Sequence, residues 1–411
     1  MSNNNKSNEE LPVKKLILLG VLGALSITQA VTAQEYTAGE KAREIAQQHL
    51  IIDTHIDVPY RLFRDWEDVT QATQRGDFDY VRAKQGGLNV PFMSIYIPAN
   101  LEQTPGASYQ LAHQLIDSME ALAWRAPDKF AMAYSVDDVL KHQEQGLISL
   151  ALGMENGSPI EGDLANLQTF YDRGIRYITL AHSESNHIAD SSYDIRRQWN
   201  GLSPFGKELV KEMNRLGVMI DISHVSDDAF WQAVETSAVP VIASHSSLRA
   251  FTPGFERNMS DDMIKKLAET GGVIMINFGS SFVTQQANRY GDIIRKQIAA
   301  INEQYGKGSD EAEQRIAAVR TKNPFPFASL EQVLDHIDYV KNLVGIDYIG
   351  IGSDYDGVGD SLPVGLKDVA SYPNLVQGLL DRGYSEADIK KILNENLIRV
   401  WREVEAYAAQ Q

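Results

Sequence analysis

The stretch Leu50-Ile51-Ile52-Asp53-Thr54-His55-Ile56-Asp57-Val58-Pro59 carries an apolar run into a histidine and an aspartate two positions apart. Alternation along a strand sends residues i and i+2 to one side, so the imidazole and the carboxylate converge while Thr54 and Ile56 point away. Such a pair can chelate a cation, and a metallohydrolase barrel begins in this way. Taken singly, the pattern describes equally well a hydrogen-bonded His and Asp closing a strand. The rest of the chain decides between the two.

Downstream, short apolar strands alternate with amphipathic helical segments, and no Pro/Ser-rich linker marks a domain boundary. Strands are predicted at 50–57, 88–97, 148–155, 176–182, 218–224, 239–245, 272–277 and 348–354. Eight strands separated by helices predict one (β/α)8 TIM barrel, because parallel neighbours need crossovers and helices supply them. A doubly wound sheet is the alternative architecture. Residues 281–322 are polar and helical in pattern, and read as an insertion after the seventh strand: a lid, an oligomer contact, or a solvated helical hairpin outside the barrel. Helices predicted at 375–382, 386–394 and 396–408 would cap and brace the barrel.

The N-terminus differs. Lys14 and Lys15 precede an apolar run from Leu16 to about Ile27, followed by Ala30-Val31-Thr32-Ala33. This reads as a secretory signal peptide over residues 1–33, cleaved after Ala33, with residues 34–411 forming a single catalytic domain. The run is short of the ~20 residues of a bilayer span, so no stable membrane anchor is expected after cleavage, and the mature chain is expected in a periplasm or secreted. The chain has 411 residues, 43% of them hydrophobic and 23% charged, which is ordinary globular composition. A formal net charge of -17 argues against binding nucleic acid through a general electrostatic field. The absence of cysteine removes disulfides, a lipoprotein anchor and thiolate metal ligands.

Barrel enzymes place their chemistry at the C-terminal ends of the strands. The first predicted strand ends in His55 and Asp57, the third in Glu155, the fourth in His182, the fifth in His224, the sixth in His245 and the eighth in Asp354. Each histidine alone would be read as a satisfied buried imidazole or a surface residue. Four of the chain's nine histidines at strand ends on one face of a barrel defeat that reading. His55, Asp57, Glu155, His224 and His245 offer three imidazoles and two carboxylates, an N/O set suited to Zn2+. A shared Glu155 could serve two ions, and two ions roughly 3.5 Å apart would clamp a hydroxide and polarise a carbonyl.

Around these residues the chain resembles the membrane dipeptidase (renal dipeptidase) family of zinc peptidases, over nearly the whole mature sequence. The resemblance is carried by Gly153-Met154-Glu155, by Arg176-Tyr-Ile-Thr-Leu-Ala-His182-Ser183 with Asn186, and by Asn200-Gly-Leu-Ser-Pro-Phe-Gly206. Asp221-Ile-Ser-His224-Val225-Ser226, Ser244-His245-Ser246-Ser247 and Gly352-Ser-Asp354-Tyr-Asp356-Gly357 add to it. It implies an amidohydrolase-type barrel, two zinc ions per subunit and hydrolysis of free dipeptides, L,D-dipeptides included among the candidates. By the same resemblance His55 and Asp57 would hold one zinc and His224 and His245 the other, with Glu155 bridging. His182 would polarise the scissile carbonyl, Arg257 would grip the terminal carboxylate, and Asp354 would pass a proton to the departing amine.

Arg249 also follows His245, but only Arg257, beside Asn258, matches the family. Asp356 reaches the same side as Asp354 but falls in the turn, which makes it the weaker candidate. The mammalian relatives are disulfide-linked and lipid-anchored, and neither feature is expected here. Ile56 and Ala181 replace residues that are commonly polar in relatives, which leaves substrate preference open. A homodimer is allowed by the resemblance. The rival enzyme reading keeps the barrel and metals but takes an N-acyl amino acid, a lactone or a lactam. A non-catalytic binding protein is the third reading, and retention of all five ligands speaks against it.

Overall fold

A computed structural model describes residues 36–411; the predicted leader, residues 1–33, lies outside the described residues. Among the described residues nine strands form in chain order: β1 Ile52–Ile56, β2 Val90–Tyr96, β3 Phe130–Met132, β4 Ile148–Glu155, β5 Ile175–Thr179, β6 Met219–Asp221, β7 Ile242–Ser246, β8 Val273–Ile276 and β9 Ile349–Ile351. All pair in parallel in the order β1-β2-β4-β5-β6-β7-β8-β9, with β3 pairing outside this path onto β4. The ring closes between its last and first strands, where Asp354 N–H donates to His55 O at 3.1 Å and Asp57 N–H donates to Tyr355 O at 2.9 Å. The architecture is therefore the predicted eight-stranded barrel, and the doubly wound alternative is set aside.

Barrel strands are buried on both faces, and β1, β4, β5 and β7 are buried at every position. A side chain that crosses the interior needs a bare backbone opposite. A Cβ at Gly153 would stand 2.0 Å from the Tyr177 ring, and one at Gly352 would stand 1.9 Å from Ser244 O, so these glycines are the space those neighbours occupy. The lower barrel is filled by Ile52, Val90, Phe92, Tyr177, Met219 and Ile242, and is sealed by Trp401 from the C-terminal helix Asn396–Ala408. Phe92 packs between Tyr177 and Trp401, at ring separations of 5.5 and 5.2 Å. The C-terminal helix thus caps the barrel, as expected from sequence.

Several predicted boundaries shift. The ladder stops at Thr179 in β5, Asp221 in β6 and Ile351 in β9, so His182, His224 and Asp354 sit in the loops beyond. Asp57 stands at the N-cap of the helix Val58–Arg64 and not within the strand. His224 and Asp354 take positive φ, 70° and 65°, which no extended strand can contain. β3, which pairs onto β4 outside the ring, was not predicted. The insertion is helical, with segments Gln285–Tyr305 and Asp310–Lys322. Within them only Ala287, Ile294, Ala312 and Ile316 are buried, as in a solvated hairpin, while Phe282, just ahead of the first segment, lines the central cavity. No helix among the described residues is long and apolar enough to cross a membrane.

Candidate metal centre

The C-terminal mouth of the barrel opens into a cavity of about 700 Å3, whose lining includes Asp57, Glu155, His182, His224 and Asp354. Glu155, the last residue of β4, is its centre. Its Oε2 lies 3.5 Å from His55 Nε2, and that same nitrogen lies 3.4 Å from Asp57 Oδ2. Its Oε1 lies 3.1 Å from His224 Nε2, 3.3 Å from His245 Nε2 and 3.3 Å from His182 Nε2. One carboxylate oxygen thus faces the β1 side and the other faces the β6 and β7 side. Three overlapping groups have ligand atoms within 4.8 Å of one another: His55, Glu155 and His245; Glu155, His182 and His224; and His55, Asp57 and Asp354.

The hydroxyl groups behind the histidines decide which nitrogen carries the proton. Tyr177 Oη donates to Thr54 O at 2.9 Å, so at 2.9 Å from His55 Nδ1 it must accept, leaving His55 Nε2 with its lone pair. Ser244 Oγ donates to Asp221 Oδ2 at 2.6 Å and accepts from His245 Nδ1 at 2.7 Å, so His245 Nε2 also carries a lone pair. His245 Nε2 stands 2.8 Å from His224 Nε2, while His55 Nε2 and His224 Nδ1 find no hydrogen-bond partner although buried. Lone pairs converging on carboxylate oxygens fit a divalent cation. The edges of a tetrahedron around an ion with ~2.05 Å bonds are about 3.3 Å, the range of these separations.

The electrostatics agree at Glu155, His224 and His245; at His55 burial is outweighed by Tyr177, Glu155 and Asp57, which raise its pKa well above the usual imidazole range, so a cation there must displace a proton. Burial opposes ionisation of Glu155, but the adjacent His182 and His55 outweigh it and hold the carboxyl well below the usual range. Burial, with Arg257 and His182 next in effect, drives His224 well below the usual imidazole range, and burial with His55 does the same to His245. Neutral imidazoles and an ionised carboxylate are the protonation states that bind metal. Burial pushes Asp354 up to about 7 against the pull of His55.

The remaining predicted residues divide. His182 packs edge-on against Tyr96, with ring centroids 4.9 Å apart, and faces the cavity. Asp354 Oδ2 accepts from Asn277 Nδ2 at 2.7 Å, which leaves Oδ1 free of that bond. Arg257 is only 3% exposed; it donates to Ser246 Oγ and His245 O at 2.7 Å each, lies over the Phe282 ring, and has no partner for Nε. It stands behind the cavity wall and not in its lining. Arg249 is committed elsewhere, to Asp227 at 2.6 and 2.7 Å and to two backbone carbonyls. Asp356 braces the turn through Arg61 at 3.0 Å and Asp77 N–H at 2.6 Å.

Sequence reasoning missed Tyr177, Asp221 and Ser244 as supports and Asn277 as the orienter of Asp354. Asn277 closed a predicted strand and was the one polar strand end left unused. Tyr177 gave no signal, since an aromatic in a buried strand is ordinary core.

Residues 39–411 match the family described as membrane dipeptidase, peptidase family M19. The chain is 33% identical to Dipeptidase tcpJ of Claviceps purpurea over 342 residues, 82% of this chain and 71% of that protein. Among solved structures, it superposes on the probable dipeptidase PvdM from Pseudomonas aeruginosa with a TM-score of 0.77 at 27% identity, covering 90% of this chain and 98% of that one. A second, the metallopeptidase dipeptidase AC of family M19, gives a TM-score of 0.71 at 25% identity over 87% and 98%.

Proposed function

This chain belongs to the membrane dipeptidase family and is a metal-dependent hydrolase of dipeptides; on that premise we propose that its metal is zinc, two ions per subunit, and assign roles to its own residues. The observation that carries the assignment is the pair of imidazole lone pairs, on His55 and His245, turned toward opposite oxygens of Glu155. His55 and Asp57 would hold one ion, His224 and His245 the other, with Glu155 between them. Zinc bound there would polarise the scissile carbonyl and lower the pKa of an attacking water.

The protein's side chains supply the rest. His182, which lines the cavity with Nε2 3.3 Å from Glu155 Oε1, would orient the carbonyl and donate to its oxygen as charge develops there. Asp354 carries a proton on Oδ1 to the departing amine while Asn277 holds Oδ2. Arg257, behind the cavity wall with Nε unpartnered, would draw the substrate's terminal carboxylate to that side of the mouth. The leader read over residues 1–33 would export the chain to the periplasm or beyond, and the family likeness carries the expectation of a homodimer, which light scattering on the mature chain tests.

The function is tested on the mature chain with L,L- and L,D-dipeptides and C-terminally blocked controls, before and after chelation and zinc restoration. Zinc-restorable cleavage of free dipeptides alone is expected. No cleavage by fully metallated protein would overturn the reading.

A further inference from the structure

The central cavity shares two residues, Tyr60 and Arg64, with a neighbouring cavity of about 570 Å3 walled by Phe63, Pro98, Leu101 and Leu111. Both shared residues lie on the helix Val58–Arg64, which begins beside the metal centre at Asp57 and ends at this rim. At 1.5 Å per residue the helix carries the chain roughly 10 Å from the candidate ligand to Arg64.

The charges lining the central cavity can be paired off. Arg61 is committed to Glu67 at 2.9 Å and Asp356 at 3.0 Å, and Asp65 is taken by Arg75. Glu155, Asp57 and Asp354 face the histidines and the candidate metal positions. Arg64 is left over: among the described residues no carboxylate stands within 4.0 Å of it. Its one side-chain hydrogen bond is a 3.5 Å contact with the Tyr60 hydroxyl, and its guanidinium lies 6.0 Å from the Tyr60 ring centroid. In a chain of net charge -17, an unpaired guanidinium on a cavity rim has a carboxylate as its natural complement.

The direction of approach follows from the barrel. Tyr60 packs edge-on against Tyr96 at 5.0 Å and Tyr96 against His182 at 4.9 Å, so an aromatic file leads from the candidate carbonyl-binding residue to Arg64. Arg64, on the helix that follows β1, and Tyr96, at the end of β2, stand on the side of the first two strands of the ring, whereas Arg257 follows β7, the sixth, across the mouth. A dipeptide whose terminal carboxylate lies toward Arg257 turns its N-terminal residue toward Arg64. We propose that Arg64 is a specificity-determining residue that receives the acidic side chain of an N-terminal Asp or Glu, so that dipeptides beginning with an acidic residue are a preferred substrate class. This rests on the dipeptidase reading and on the orientation set by Arg257.

The measurement is the ratio of kcat/KM for Glu-Ala over its neutral isostere Gln-Ala, with metal-loaded mature protein. Wild type should favour Glu-Ala, Arg64→Met should lower the ratio by about fivefold with the change in KM, and Arg64→Glu should shift preference toward Lys-Ala. The wild-type ratio should also fall between about 0.02 M and about 0.5 M salt, a readout that needs no variant. A wild-type ratio at or below one, or a ratio unmoved by both substitutions and by salt, overturns the proposal. Equal losses on Glu-Ala and Gln-Ala overturn it too, by assigning Arg64 to the common terminal carboxylate. Failure of wild type on every dipeptide would instead strike the dipeptidase reading, so the two failures are distinguishable.

Discussion

Two hydroxyls, on Tyr177 and Ser244, set the tautomers of His55 and His245, and neither announces this in sequence. The imidazoles themselves were legible because they fall within or just beyond apolar strands. His224 and Asp354 were located by the same rule, yet both enter the site through left-handed backbone, which the local sequence does not announce. Asp354 belongs to this scale for its test as well. Asn keeps an oxygen for Asn277 Nδ2 but carries no transferable proton, so Asp354→Asn should retain its metal while turnover falls by about 100-fold or more. Metal content and kcat measured on one preparation check this, and unchanged turnover would remove Asp354 from the role.

The eight strands of the ring and their order could be read from the chain, but β3 and the strand lengths could not. Apolar residues continue past the last ladder bond into Leu180, Ala181 and Ile222, because loops over a buried site need apolar cover as strands do. The ties between elements are likewise hidden. His336, on the helix Leu330–Val344, accepts from Leu248 N–H at 3.2 Å and donates to Val283 O at 3.0 Å, joining that helix to the segments after β7 and β8. Burial lowers its pKa to about 4, against the weaker pull of Val283 and Asp335. The folded-state pKa is depressed, so between about 6.5 and about 4 the unfolded chain takes up a proton that the folded chain refuses. Stability is full above that window and is lost as pH falls through it, by roughly 3 kcal/mol at the lower end. Denaturant unfolding of wild type and His336→Gln at pH 7 and pH 4 should show the wild type losing more by about that amount; equal losses would refute it.

Across the whole molecule the barrel gathers residues nearly 300 positions apart into one mouth, and the C-terminal helix closes its floor. A buried glutamate and three converging imidazoles are held together there, and metal that binds the folded site alone stabilises it by mass action. Chelation should therefore lower the melting temperature, by about 1 °C for each kcal/mol lost in a domain of this size, and zinc should restore it. A melting curve indifferent to chelator, with metal loss verified, would count against a structurally coupled site.

The barrel and its candidate ligands were legible in the chain, since strand alternation, crossover helices and strand-end chemistry are local patterns that survive being read one segment at a time. Tertiary structure alone decided which nitrogen of each histidine faces Glu155, why Arg249 is spent and Arg257 retains a free donor, and which cavity-lining arginine lacks a partner. Those are relations between segments far apart in the chain, where hydrogen-bond direction and charge pairing exist only after the strands have closed.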